Sequence, residues 1–186
     1  MDNELTFRQA KSCEADRIMQ IIRQAQARMH AAGSHQWQDG YPAPGHISAD
    51  IGRGYGYVLC KSDLEGPHAV IAYGAVVFDG EPAYNALDGQ WLTDEPYVLV
   101  HRLAVADGER GRGVAAEFLR RTEALALYDA VAALPPKLKT VIVLRFFEDM
   151  KLAEVAQAAG CTLSTAKSRL YKALALLRVE LDDGEV

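Results

Sequence analysis

Leu134-Pro135-Pro136-Lys137-Leu138-Lys139-Thr140-Val141-Ile142-Val143-Leu144-Arg145-Phe146-Phe147-Glu148-Asp149-Met150 is the stretch whose backbone decides what kind of molecule this is. Read as a helix, it begins with proline in the first turn, where a missing N–H does no harm. Val141, Val143, Leu144 and Phe147 then form an apolar face that ends near Asp149. Read as a strand, Thr140 to Leu144 is a β-branched run that would extend a preceding sheet. On these residues alone both readings stay open. Leu152, Val155, Ala156 and Ala159 make a second apolar stripe, and Gly160 is the residue expected at a tight turn after it. Thr162 has the side chain of an N-cap, with Thr165 at the third helical position. Leu163, Ala166, Leu170, Ala173, Leu174, Leu177 and Leu181 recur at helical spacing.

The other face of that last helix presents Ser164, Thr165, Lys167, Ser168, Arg169, Tyr171 and Lys172. Hydroxyl and cationic side chains at the start of a helix after a tight turn suit a helix-turn-helix, whose second helix reads base edges while flanking cations meet phosphates. A plain amphipathic helix in a small bundle has the same pattern. Residues 134–150, Leu152-Ala153-Glu154-Val155-Ala156 and Lys167-Ser168-Arg169-Leu170 closely resemble region 4 of sigma-70 family factors, above all the extracytoplasmic-function type. The resemblance covers about residues 125–181, and because it continues unbroken to Arg178 it favours the helix over the strand at Thr140 to Leu144. It implies recognition of a promoter −35-like element and docking on core RNA polymerase. Ser164, Thr165, Lys167, Ser168, Arg169 and Lys172 would then be the DNA-facing positions, with Lys151 near the backbone. Nothing in residues 1–120 resembles the part of such factors that melts a promoter, so binding without promoter opening is expected.

Upstream the texture is different. Leu5 to Ala10, Tyr57 to Lys61, Ala69 to Phe78 and Tyr97 to Val105 read as strands. Glu14 to Met29 reads as a helix through Ile18, Ile21, Ile22 and Ala25. Gly33 to Gly45 reads as a loop with a short helical insert, Asp79 to Pro82 as a turn, and Asn85 to Glu95 as a polar connection. Val114 to Tyr128 reads as a helix with Val114, Phe118, Leu119 and Leu125 available to a sheet. Between the last strand and this helix lies Arg110-Gly111-Arg112-Gly113-Val114-Ala115. Glycines before a helix start let a phosphate approach unpaired main-chain N–H groups, and two arginines add charge. Turn geometry alone also explains such glycines.

Leu103-Ala104-Val105, the Arg-x-x-Gly-x-Ala pattern, the following helix and Gln36-Trp37-Gln38-Asp39-Gly40-Tyr41-Pro42 resemble the GNAT N-acetyltransferase family over residues 4 to about 125. The resemblance implies acetyl-CoA as cofactor. Main-chain atoms of Leu103 and Val105 would meet the pantetheine arm, and Arg110, Gly111, Arg112, Gly113, Val114 and Ala115 would hold the pyrophosphate. Trp37 and Tyr41 would lie on the acceptor side or simply pack. The implied chemistry is direct attack of a neutral amine on the thioester. That family continues with a splayed parallel strand and a helix that often supplies a tyrosine acid. Nothing after Tyr128 fits, so the acetyltransferase part is expected to be incomplete and weak or inactive. His101 and Glu95 are candidate bases, although His101 suits a core position on its strand.

Composition agrees with two parts. The chain of 186 residues carries a net charge of −5. Residues 1–136 hold 12 basic and 18 acidic side chains, whereas residues 137–181 hold 8 and 4. A basic module on an acidic body is what a nucleic-acid contact near the C-terminus requires. Cys13, Cys60 and Cys161 fit no metal spacing and read as free cytoplasmic thiols. His30, His35, His46, His68 and His101 form no ligand pattern. No apolar run reaches membrane-spanning length. The expected fold class is α+β, with a GNAT-like mixed α/β sheet domain over residues 1–125 and an all-α helix-turn-helix domain over residues 126–186. The join is expected between Arg121 and Leu134.

Overall fold

A computed structural model describes residues 4–78 and 98–177. The chain divides into two compact units, residues 1–123 and 124–186.

The first unit is built on β1 (Leu5–Gln9), β2 (Gly56–Lys61), β3 (Val70–Val77) and β4 (Leu99–Val105), paired in that spatial order and antiparallel throughout. β3 is buried at every position, as expected for a strand with neighbours on both sides and helices on both faces. On one face, α1 (Ala15–Ala31) and α2 (Pro44–Gly52) cover the sheet. There Ile18, Ile21, Ile22 and Ile47 pack against Val58, Val70 and Tyr73. On the other face, α3 (Val114–Ala133) sets Val114 and Phe118 against Leu59, Ile71, Ala72 and Val76. Gly74 is required there, because a Cβ at that position would lie 2.9 Å from the Phe118 ring. Buried Glu14 is satisfied by the Arg8 guanidinium (2.6 and 3.0 Å) and by the Lys11 N–H (2.8 Å). Burial pushes the Glu14 carboxyl up, but the bonds from Arg8 and from the Lys11 N–H, with the charges of both residues, together hold it below its usual range.

Three local expectations differ from what is found. The helix near the Gly33–Gly45 loop is α2, which begins only at Pro44, with proline pre-set for a first turn. α3 runs on past Tyr128 to Ala133, so one helix contains the boundary between the units. Leu119 faces outward, and Thr122 takes the buried position, its hydroxyl donating to the Phe118 carbonyl (3.0 Å). The expected turn at Asp79–Pro82, the connection Asn85–Glu95 with its candidate base Glu95, and Leu181 lie outside the described residues.

In the second unit, residues 140–144 are helical and the strand reading fails. α4 (Pro136–Ile142) continues as a π-helical turn, Val143–Phe147. Val141 and Ile142 pack with Leu138, Val155, Leu170, Ala173 and Leu174 in one cluster. A strand would have turned alternate residues of this run away from that cluster. α5 (Leu152–Ala158) starts with the Glu154 carboxylate accepting the Lys151 N–H at 2.7 Å. It ends at Gly160, whose φ of +59° lets the Cys161 N–H return to the Ala156 carbonyl (2.9 Å). α6 (Leu163–Leu177) follows. Leu163, placed on its inner face by spacing, is exposed because it stands in the first turn, ahead of the packed cluster.

Candidate functional site

Two helix starts carry the candidate chemistry, one in each unit. At α6, Thr162 caps the helix: its hydroxyl oxygen accepts the Thr165 N–H at 3.2 Å and shares a hydrogen bond with the Thr165 hydroxyl at 2.9 Å. The backbone donor is thereby satisfied within the chain, leaving side chains as the exposed functional groups. Ala166, Leu170, Ala173 and Leu174 are buried on the inner face. Ser164, Lys167, Ser168 and Lys172 are exposed on the outer face, and Thr165 and Arg169 are half-buried beside them. Spacings of three and four residues bring this set onto one side of the helix. Lys167, Arg169 and Lys172 form no ion pair with any described residue. Lys151 is exposed just before α5. A row of cations and hydroxyls on a helix held by a tight turn can meet an anionic groove.

At α3 the arrangement is inverted. β4 leads through a 3₁₀ turn, Asp107–Glu109, into Arg110-Gly111-Arg112-Gly113. Gly111 and Gly113 have φ of +73° and +76°, a conformation that side chains disfavour. Nothing stands within 4 Å of where a Cβ would be at either position, so the space above the turn is open. Gly113 has no side chain with which to cap α3, and the first N–H groups of a helix have no intrahelical partner. A concavity of about 200 Å³ is bounded by Val105, Glu109, Arg110, Gly111, Gly113 and Val114. Arg110, Arg112 and Ala115 are exposed, and Leu103 and Val105 are half-buried on β4. Glu109 accepts from Lys61 Nζ at 2.6 Å and lies 3.4 Å from Arg112. Asp107 is fastened to α1 by an ion pair with Arg28, and its N–H donates to Gln24 at 3.0 Å. The turn is braced from two sides, and exposed Arg110 and Arg112 flank a concavity whose lining is mainly apolar. Two arginines at a glycine turn before a helix suit a pyrophosphate.

The acceptor-side residues separate. Trp37 is half-buried and packs against the α1–α2 core. Tyr41 is exposed, and its hydroxyl accepts from Arg102 at 2.8 Å. Arg102 also donates to both oxygens of Asp50, at 2.9 and 2.6 Å, and the Tyr73 hydroxyl donates to Asp50 at 2.7 Å. Burial first, then the bond to Asp50, pushes the Tyr73 hydroxyl far above its usual range. Burial opposes the charge on Arg102, yet its bonds to Asp50 and Tyr41 raise its pKa on balance. Sequence reasoning missed this cluster. Its one signal was a charged residue inside the apolar run Val98–Val105. His101 is half-buried and pairs with Ala75 across the sheet. Among the described residues, no group of histidine, cysteine and acidic side chains is placed to hold a metal. None of the described helices is long and apolar enough to cross a membrane.

Comparison with known proteins separates the chain at the same region. Residues 124–177 match the family model described as Sigma-70, region 4. The RNA polymerase sigma factor SigV of Bacillus subtilis is 51% identical over 55 residues, 30% of this chain and 33% of that protein. An RNA polymerase sigma-E factor of Streptomyces antibioticus is 48% identical over 60 residues, 32% of this chain and 33% of its own length. This chain therefore spans about a third of the curated relatives it matches. Among solved structures, a GNAT-family acetyltransferase from Streptococcus agalactiae aligns with the N-terminal part at 37% identity and a TM-score of 0.55. That alignment covers 62% of this chain and 66% of the other. A GNAT-family acetyltransferase from Listeria monocytogenes aligns with a TM-score of 0.55 over 68% of this chain and 72% of its own. Its identity is 15%, a likeness of fold alone. The chain joins a GNAT-like α+β fold to a helical part similar to sigma-70 region 4.

Proposed function

We propose that residues 126–186 are a DNA-binding module that engages a −35-like promoter element and core RNA polymerase. Residues 1–125 are, in this reading, an incomplete acetyltransferase domain that retains its cofactor turn. The observation that carries it is the region 4 match over residues 124–177, which includes α6, whose basic face forms no ion pair with another described residue. Ser164, Thr165 and Ser168 are short enough to reach base edges near the α6 N-terminus. Lys167, Arg169 and Lys172 neutralise phosphates and release counterions. Fluorescence anisotropy with −35-containing duplexes tests this. Arg169→Ala with Lys172→Ala should weaken binding and make the slope of log K against log salt shallower by about 1.8. An unchanged slope would remove the assignment.

The glycine turn supports a second activity in the same chain, binding of acetyl-CoA. Open space above Gly111 and Gly113, a helix start without intrahelical N–H partners, and exposed Arg110 and Arg112 fit a pyrophosphate. Arg110, Gly111, Arg112, Gly113, Val114 and Ala115 would hold it, and the edge of β4 at Leu103 and Val105 would take the pantetheine arm. The cofactor would supply an activated acyl thioester, and this chain's residues would fix its position. Among the described residues, α3 is followed by α4 to α6 rather than by another strand, so binding with little or no turnover is expected. Calorimetry with acetyl-CoA measures the first, and release of free thiol with amine acceptors measures the second.

A further inference from the structure

β4 does not run straight. Tyr73 pairs with Ala104 and Ala75 with His101, so two residues of β4, Arg102 and Leu103, stand opposite the single residue Gly74. This is a β-bulge, and its extra residue, Arg102, has φ of +56°. A non-glycine residue resists that conformation, since its Cβ crowds the following carbonyl. Something must hold it there. The side chain of Arg102 is spread over a fixed frame: two bonds reach the two oxygens of Asp50 on α2, and a third reaches the Tyr41 hydroxyl. Asp50 is itself buried and pinned by Tyr73 from β3. A bidentate guanidinium–carboxylate pair fixes direction as well as distance.

We propose that Asp50 is a positioning residue for the cofactor edge of β4: through Arg102 it holds the bulge that sets which way the Leu103–Val105 main chain faces. The proposal rests on the acetyl-CoA reading above. A strand alternates its polar groups with period two, so one inserted residue reverses the presentation of everything on one side of it. Among the described residues, β4 has a strand on one side only. The groups turned to its other edge by the bulge are those a pantetheine amide would meet.

Arg102→Gly and Arg102→Ala both abolish the clamp, but glycine adopts positive φ freely and alanine does not. The pair therefore separates backbone positioning from simple ion-pair stability. Calorimetry with CoA and amide hydrogen exchange over residues 101–105 are the two readouts. Arg102→Ala should weaken CoA binding about tenfold and speed exchange by a similar factor, and Arg102→Gly should stay within about threefold of the parent in both. Should Asp50, left without its partner, prevent either variant from folding, Asp50→Asn/Arg102→Gly and Asp50→Asn/Arg102→Ala make the same contrast with both charges removed. Equal behaviour of the glycine and alanine variants overturns the proposal, as does an exchange contrast with no contrast in CoA affinity. If the parent protein fails to bind CoA, the cofactor reading falls, and with it the positioning role. The exchange contrast then shows whether the clamp still holds the bulge.

Discussion

The two helix starts solve opposite problems with the same backbone. At α6 the orphan N–H of Thr165 is closed off by the Thr162 hydroxyl, and the ligand-facing chemistry moves to side chains. At α3 the residue before the helix is Gly113, which has no side chain to cap with, so the first N–H groups lack both an intrahelical partner and a side-chain cap from that position. A capped start suits a long, irregular groove, where lysine and arginine adapt their reach. An uncapped glycine start suits one compact phosphate group, where close approach matters more than reach. Charge alone does not separate them, since both carry two or more exposed cations. The cap separates them.

The largest test of this contrast removes the support under one start only. Phe118 is fully buried beneath the sheet and fills the space above Gly74. Phe118→Ala should destabilise the first unit by about 3–5 kcal/mol. Trp37 packs against the α1–α2 core, so its fluorescence reports the first unit during urea unfolding. CoA affinity should fall with it while DNA affinity is retained. Equal loss of both affinities would mean that the two starts do not act separately.

A smaller change acts at the uncapped start itself. Gly113→Ala places a Cβ where φ is +76° and should cost about 1–2 kcal/mol through backbone strain. No atom lies within 4 Å of that Cβ, so any further loss of CoA affinity comes from the ligand's approach and not from packing. Comparing thermal midpoint with CoA affinity separates the two. At the capped start, Thr162→Ala should cost about 1 kcal/mol by losing the cap. DNA affinity should fall modestly, with the salt slope unchanged because no cation has been removed.

How much of this was legible beforehand depends on the range of the interactions. Thr162, Gly160 and the α6 stripe act within one or two turns of chain, and their spacing carries the signal. Residues 140–144 were harder, because Val and Ile suit a strand locally. Their contacts with Val155 and Leu170 decide for a helix. α2 was misplaced because it has two glycines and little apolar periodicity, and Ile47 is its fully buried anchor. The Asp50–Arg102–Tyr41 cluster was invisible in a linear reading. It joins residues 52 and 61 positions apart through a bulge that no local pattern announces. The glycine turn lies between β4 and α3, where its spacing placed it, yet the braces that hold it, Arg28–Asp107 and Lys61–Glu109, are long-range and left no trace in spacing.

The smallest expected effect concerns acid. Glu117, in the first turn of α3, accepts from Arg120 and Arg121 at 2.7–2.8 Å, and these bonds lower its pKa to about 2. A carboxylate whose pKa falls on folding contributes stability above its unfolded value, near 4.5, and loses it as pH drops toward about 2. Glu14 shifts in the same direction through Arg8, so both contributions have the same sign and both belong to the first unit. The Glu117 network is largely exposed, and solvent screening reduces its worth to below about 1 kcal/mol despite the size of the shift. Glu14 is buried, so its loss should dominate. Acid unfolding followed by tryptophan fluorescence should therefore be shallower for Glu117→Gln by only a small margin, and 0.5 M salt should erase that margin by screening the exposed pairs. The same salt should leave most of the Glu14 contribution in place, because its partners bond it inside the protein. If salt erased the whole acid sensitivity, exposed charges would be holding the base of α3, and the contrast between braced turn and open ligand face would lose its foundation.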